Sequence, residues 1–449
     1  MIPIVTPEEM AAVDAAAPEP VEVLIHRAGG ALARAAIELL GGAYGRRVTV
    51  LAGKGNNGND GRDAAERLRR RGVRVSVVDA GGRPERLPDG DLVIDAGFGT
   101  GFRGEFDAPA TEAPVLACDI PSGVDGLTGR VGGEVYDAVR TVTFAALKPG
   151  LVLWPGAGHA GPIDVADIGL DTSSTRTHLL EAQDIGGLVP DRGPSDHKWQ
   201  SACWVIGGSP GMAGAPAMAA AAAMRAGAGY ARQSVPGAAA VDGAAAEVVT
   251  TALPDEGWAG GVLGDLDRFG ALVVGPGIGR EVSTTAEVRR VVAESTVPVV
   301  VDGDGLRALD PHGPVGRSGN SPPVLTPHDG EYEALAGEPP GADRFAAARA
   351  LASRLGAVVL LKGPCTIVAD PGGRALAVTE GDARLASAGT GDVLSGIIGA
   401  LLARGVPPTE AAAVGAFLHG RAGAVGWAHG LVATDLIDHL PAVLDDLLE

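Results

Sequence analysis

The chain has 449 residues, enough for two or three domains that each bury a core without covalent staples. It carries 36 Lys and Arg against 55 Asp and Glu, a net charge of -19, which argues against a nucleic-acid tracking surface or an anionic-membrane anchor. Three cysteines, Cys118, Cys203 and Cys365, lie far apart without CxxC spacing, so no disulfide framework or structural zinc site is expected and a reducing cytoplasm fits.

The first residues, Met1-Ile2-Pro3-Ile4, lack a basic segment followed by an apolar run, so no secretory signal is read there. Short apolar runs then alternate with helical stretches. Arg47–Ala52, Val73–Val78, Leu92–Ile94, Val115–Cys118 and Thr141–Phe144 read as strands of a buried sheet. The first opens into Gly53-Lys54-Gly55-Asn56-Asn57-Gly58-Asn59-Asp60-Gly61, with a helix expected from about Arg62 to Arg71. Gly53, Gly55 and Gly58 spell G-x-G-x-x-G, and Asp79 ends the next strand, so a nicotinamide dehydrogenase is one reading. With 69 glycines in the chain, a single glycine fingerprint carries little weight. The loop is also more polar than a dinucleotide turn requires, and its amides and carboxylate suit hydroxyls or a cation. Asp95 and Asp119 each follow a strand, where open α/β sheets bind ligands. Asn57, Asp95 and Ser122 offer hard oxygen ligands for a cation, the alternative being satisfied turn residues. Asp119 is the first acid/base candidate and Lys148 the second, unless Lys148 is merely solvated.

The weakest apolar signal lies between Asp171 and Pro194 and marks a domain boundary, giving domains 1–174 and 175–449. Ala213 to Ala231 is alanine-rich, interrupted by Arg225, and reads as a buried helix rather than a membrane span. Cys203–Ile206, Ala271–Val274, Val297–Val301 and Ala357–Leu361 read as strands of a second α/β domain. Gly389-Thr390-Gly391-Asp392 runs into an apolar helical pattern; helix N-terminal amides favour a phosphate there, and Asp392 is placed to take a proton from an attacking hydroxyl. An ordinary helix start capped by Thr390 or Asp392 is the alternative.

The N-terminal motifs, with Leu24-Ile25-His26-Arg27-Ala28-Gly29 before them, resemble the NAD(P)HX epimerase domain of the YjeF N-terminal type, a Rossmann-like three-layer α/β fold. Asn59 stands where that family usually has glycine. The resemblance implies NADHX or NADPHX contacts at Asn56, Asn57, Gly58, Asn59, Asp60, Gly99, Thr100, Gly101, Phe102, Arg103, Gly104, Glu105 and Asp119, and K⁺ at Asn57, Asp95 and Ser122. In the second half, Gly207–Pro216, Val274–Gly279, Val301–Leu306, Leu325–Glu331, Leu361–Thr366 and the Gly389–Asp392 turn together resemble the ADP/ATP-dependent NAD(P)HX dehydratase domain, of ribokinase-like fold. This implies NAD(P)HX contacts at Ala215, Gly277, Gly279, His328 and Asp392, and ADP or ATP contacts at Lys362, Gly363, Pro364, Cys365, Thr366 and Gly391, with Mg²⁺ across the phosphates. Outside its motif, His328 reads equally as a core or loop histidine. The resemblance implies a cytoplasmic bifunctional repair enzyme, and a homo-oligomer is expected. A ribokinase-type small-molecule kinase, with an N-terminal module that only holds a nucleotide, is the alternative.

Overall fold

The computed structural model describes residues 1–209, 212–241, 243–316 and 321–448. The chain divides into two compact units, Ile2–Thr177 and, with Met1, His178–Glu449.

In the first unit a short strand β1 (Ile2–Pro3) precedes six strands, β2 (Arg47–Ala52), β3 (Arg74–Asp79), β4 (Leu92–Ala96), β5 (Val115–Cys118), β6 (Arg140–Phe144) and β7 (Ile163–Ala166). These six form a sheet in the order β3-β2-β4-β5-β6-β7, with every pair parallel. The continuous apolar runs of β4 and β5 are buried along their whole length, as strands covered on both faces must be. The helix Val21–Leu40 buries Leu24, Ala28, Leu32, Ala36 and Leu40, one residue per turn on one face, against Ala64, Ala65 and Leu68 of the helix Asn56–Arg70. Strand order reverses between β2 and β4, the switch point where open parallel sheets take their ligands.

The structure corrects the expected start of the second helix. It begins at Asn56, not near Arg62, so the polar segment forms its first turns. Gly55 is its extended N-cap, and Gly58 makes the early start possible: a Cβ there would lie 2.0 Å from the Gly53 carbonyl oxygen. Asp95 lies within β4 rather than after it.

The second unit contains β8 (Thr177–Leu179, shared with the end of the first), β9 (Ala202–Ile206), β10 (Tyr230–Pro236), β11 (Val249–Leu253), β12 (Ala271–Val274), β13 (Val299–Val301), β14 (Val324–Leu325), β15 (Val358–Leu361), β16 (Thr366–Ala369) and β17 (Ala375–Val378). The sheet order runs β8-β17-β16-β15-β14-β13-β12-β9-β10-β11. From β15 to β11 neighbours are parallel, while β15, β16 and β17 are antiparallel. The alanine-rich stretch is helical only over Gly214–Arg225; Gly227, at φ +99°, ends it, and Tyr230 already begins β10. This helix packs so closely on the helix Thr390–Ala403 that a Cβ on Gly396 would meet the Ala219 carbonyl at 2.0 Å. Among the described residues no helix is long and apolar enough to cross a membrane.

Candidate active sites

At the carboxyl edge of the first sheet, β5 ends and Asp119 takes a left-handed backbone at φ +68°, a conformation that non-glycine residues hold only where the surroundings enforce it. Its Oδ1 accepts from Lys148 Nζ at 2.5 Å and Thr143 Oγ1 at 3.1 Å. Its Oδ2 accepts from the Thr100 amide at 3.2 Å and from the Thr100 hydroxyl. Lys148 is 1% exposed and donates also to Thr143 Oγ1 (2.8 Å) and the Phe144 carbonyl (3.1 Å), so it is an enclosed ion-pair partner, not a solvated lysine. Burial pushes the Asp119 pKa up, but the Lys148 charge and the bonds from Lys148 and Thr100 outweigh it and hold the carboxyl below its ordinary range.

This pair opens onto a cavity of about 520 Å³ whose lining includes Asp14, Lys54, Asn57, Asp60, Thr100, Asp119 and Lys148. Asp60 is 7% exposed. Burial, then the charges of Asp119, Asp63 and Asp14, raise its pKa to about 8 against the opposing pull of Lys148. Both side-chain atoms of the Asn57 amide are buried, and no described residue bonds them. Fully buried Asp95 accepts from the Ser122 hydroxyl (2.6 Å) and amide (2.8 Å), and burial raises its pKa. The Ser122 oxygen in turn accepts from the Phe98 amide at 2.8 Å.

Of the expected nucleotide contacts, Asn56, Asn57, Asp60, Gly99, Thr100, Gly101, Phe102 and Asp119 line the cavity; Gly58, Asn59, Arg103, Gly104 and Glu105 do not. Gly58 is packed on Gly53, Asn59 accepts from Arg62 at 3.3 Å, and Arg103 pairs with Asp125 at 3.5 Å. Asp79, the expected ribose carboxylate of a dehydrogenase, accepts from the Gly81 amide at 3.0 Å and caps a short turn.

In the second unit the ends of β9, β12, β13, β14 and β15 meet at one edge. Ser209, after β9, donates to the Gly277 carbonyl at 2.8 Å, and a Cβ on Gly277 would lie 3.2 Å from that of Ala215, so the expected residues Ala215 and Gly277 come together, with Gly279 beside Ser209. Pro210 and Gly211 of the same motif lie outside the described residues. Asp302, after β13, accepts from Thr326 Oγ1 at 2.6 Å and Lys362 Nζ at 2.9 Å. Lys362 Nζ reaches the turn preceding Asp392: a Cβ on Gly391 would lie 3.4 Å from it. Burial lowers the Lys362 pKa, yet Asp302, Glu331 and Asp392 together leave it raised. Burial and the charges of Asp302 and Glu331, opposed by Lys362, lift Asp392 to about 7.

The helix Thr390–Ala403 starts from Gly389 at φ +90°, and neither Thr390 nor Asp392 caps it. Thr390 Oγ1 instead donates to the Leu385 and Ser387 carbonyls (2.8 and 2.9 Å). Among the described residues no side chain accepts from the amides of the first turn, which leaves the dipole end open to an anion. Behind it, buried His419 has Nε2 2.9 Å from the Thr390 carbonyl; burial lowers its pKa to about 4, so the ring is neutral at physiological pH and Nε2 donates. His328 is the N-cap of the helix Asp329–Ala336: its Nδ1 accepts from the Gly330 amide at 3.1 Å, while its own amide donates to Glu331 at 3.0 Å. Gly363 and Pro364 are exposed, whereas Cys365 is buried, its thiol pushed up to about 12.

Asp14, Thr143 and His419 join these sites without having been expected there, while Asp302 and Thr326 lie inside the motifs Val301–Leu306 and Leu325–Glu331 but had been given no role of their own. The strand-end rule that found Asp95 and Asp119 would also have found Asp302. Asp14, Thr143 and His419 are brought in by tertiary packing and carry no local signal.

A mixed sheet with a lysine and a carboxylate at an uncapped helix start on its edge marks the second unit as an α/β enzyme of ribokinase-like architecture, joined in sequence to a Rossmann-like unit with an acidic cavity. Residues 203–442 match the family described as NAD(P)H-hydrate dehydratase, and residues 21–89 and 82–150 match the YjeF-related protein N-terminus. The bifunctional NAD(P)H-hydrate repair enzyme Nnr of Mycobacterium leprae is 39% identical over 440 residues, spanning 90% of this chain and 89% of that protein. The enzyme of the same name from Moorella thermoacetica is 36% identical over 472 residues, with 90% and 88% covered. Among solved structures, the ADP/ATP-dependent NAD(P)H-hydrate dehydratase of Bacillus subtilis, co-crystallised with ATP and Mg²⁺, superimposes with a TM-score of 0.52 at 28% identity, covering 60% of this chain and 98% of that one. The chain belongs to the bifunctional NAD(P)H-hydrate repair enzymes, which epimerise and dehydrate hydrated nicotinamide nucleotides.

Proposed function

We propose that the unit Ile2–Thr177 is the epimerase, interconverting R- and S-NAD(P)HX, and that the remainder is the dehydratase, returning the S form to NAD(P)H at the expense of ADP or ATP with Mg²⁺. The observation that carries the second half is the convergence of Lys362, Gly391 and Asp392 at the open helix start. Hydroxide leaves poorly from C6 of the hydrated ring. Asp392 takes the proton of that hydroxyl as its oxygen accepts a phosphoryl group, the first-turn amides and Lys362 hold the anion, and the ring nitrogen expels phosphate. Mg²⁺ supplies charge neutralisation across the donor phosphates. Ala215, Gly277, Gly279 and His328 face NAD(P)HX; Lys362 to Thr366 and Gly391 face the adenine nucleotide.

In the epimerase, Asp119 and Lys148 lie at the reacting carbon, and the cavity residues Asn56, Asn57, Asp60 and Gly99 to Phe102 hold the nucleotide. K⁺ fits beside Asn57, whose buried carbonyl oxygen has no partner among the described residues, with Asp95 and Ser122 as the neighbouring oxygen donors. The enzyme works in the cytoplasm as a homo-oligomer. The test is to give the protein mixed R,S-NADHX with Mg²⁺, K⁺ and either ADP or ATP, and to follow reduced-nicotinamide absorbance. Conversion of both epimers is the expected result, and the faster nucleotide names the donor. No gain with either nucleotide overturns the dehydratase assignment, and a plateau at the S fraction overturns the epimerase assignment.

A further inference from the structure

The Asp119–Lys148 pair is saturated. A lysine ammonium has three protons, and those of Lys148 go to Asp119, Thr143 and the Phe144 carbonyl. Both Asp119 oxygens are occupied, by Lys148 and Thr143 on one side and by the Thr100 amide and hydroxyl on the other. Neither group has a proton to give without breaking its partner's contacts. Asp60 is different. It projects from the second turn of the helix Asn56–Arg70 into the same cavity, is shielded from bulk water, and receives no hydrogen bond from any described residue. Of the other acids on the wall, Asp14 lies at the exposed rim and Glu19 accepts from Arg27 at 2.9 Å.

We infer that Asp60 is the catalytic acid of the epimerase, giving its proton to the C6 hydroxyl of NAD(P)HX as that group departs. The inference rests on the epimerase reading of this unit. In the step, the Asp60 proton passes to the hydroxyl oxygen, the C6–O bond breaks with its electron pair, and water leaves while the N1 lone pair forms a C6=N1 iminium. Water then adds to the opposite face of C6 and releases a proton to the water in the cavity, from which Asp60 is reprotonated, while the C6=N1 π pair returns to N1. Nothing is oxidised or reduced. The planar cation forms between two carboxylates, Asp60 now ionised and Asp119 held ionised by Lys148, which is where low-dielectric electrostatic stabilisation acts. Burial first, and then the charges of Asp119, Asp63 and Asp14, keep the proton on Asp60 against the opposing Lys148; the outcome, a pKa of about 8, leaves it protonated at neutral pH.

The test follows R-to-S conversion chromatographically in the full-length protein without nucleotide, so that the dehydratase is idle. Asp60→Asn should lower kcat by roughly 100-fold or more while KM moves by less than about threefold. A melting transition of the first unit retained by the same variant in calorimetry serves as the folding control. Wild-type epimerisation should itself decline above about pH 8, a readout that needs no variant. A purely binding role predicts a raised KM with kcat retained, and that result, or a wild-type rate flat from about pH 6 to 10, overturns the assignment. Absence of epimerisation in wild type would instead remove the epimerase reading on which it rests.

Discussion

Asp60 and Asp392 are both carboxyls that burial drives toward the neutral form, and the two reactions ask opposite things of them. Asp392 must be ionised to accept a hydroxyl proton. Its pKa is about 7, set first by burial and then by Asp302 and Glu331 against Lys362, so the rate of S-NADHX dehydration should climb as pH rises through about 7 and level off above. Initial rates across that range check it, and a flat profile would remove Asp392 as the base. Asp392→Asn should cost roughly 10² to 10⁴ in dehydration and leave epimer exchange intact. The same shifts bear on stability. A carboxyl whose folded pKa lies above the unfolded value of 3.8 binds more protons in the folded state, so its contribution is fully present below the unfolded pKa and is lost as pH rises through the folded one. For Asp60 that window runs from 3.8 to about 8. Asp60→Asn removes the titration, so the first unit of the variant should melt above wild type near the alkaline end of the window and lose that advantage near its acid end. Calorimetry at the two ends decides; a lower Tm at both would contradict the shift.

At the scale of elements, the helix Asn56–Arg70 shows how far the sequence could be read. The apolar β-branched runs of β4, β5, β12 and β15 are legible because strands buried on both faces need continuous hydrophobicity. Asp119 and Asp392 are legible because the strand end and the helix start are general ligand positions. The start of this helix was not, because Gly55-Asn56-Asn57-Gly58-Asn59-Asp60 has the composition of a turn, and what makes it helical is contact between Gly58 and the Gly53 carbonyl, which no local pattern encodes. The same contact settles Asn59. It lies in the helix, its amide bonded to the Gly55 carbonyl at 3.1 Å, and needs no left-handed backbone. Restoring the family's glycine by Asn59→Gly should therefore leave epimerisation unchanged and destabilise the helix slightly, by a few tenths of a kcal/mol, roughly the propensity difference. Gly58→Ala should act in the opposite way to a neutral change: its Cβ cannot be accommodated against backbone, so epimerisation should fall with the loss of the first unit's fold while dehydration persists. Assaying both activities on each variant separates these outcomes. Asp14 and His419 mark the limit of such reading, since each reaches its site only through packing of a distant helix.

On the scale of the whole molecule, the chain divides into two compact units, and on the proposed reading each carries one activity, with only the S epimer dehydrated. The first unit therefore matters to the yield of repair rather than to its chemistry. With an equal mixture of epimers, an Asp119→Ala protein should stop near half conversion, because the Asp119–Lys148 ion pair that holds the cavity's charge is gone while the second unit is untouched. An Asp392→Asn protein should give almost no reduced nicotinamide yet bring the epimers to equilibrium. Mixing the two purified variants should then restore complete conversion, each chain supplying the unit that the other lacks. Recovery in proportion to the added Asp392→Asn protein is what free diffusion of the S epimer predicts. A mixture that still stalls near half, with the Asp392→Asn protein alone leaving the epimer ratio in solution unchanged, would mean that the S epimer passes from site to site before it is released.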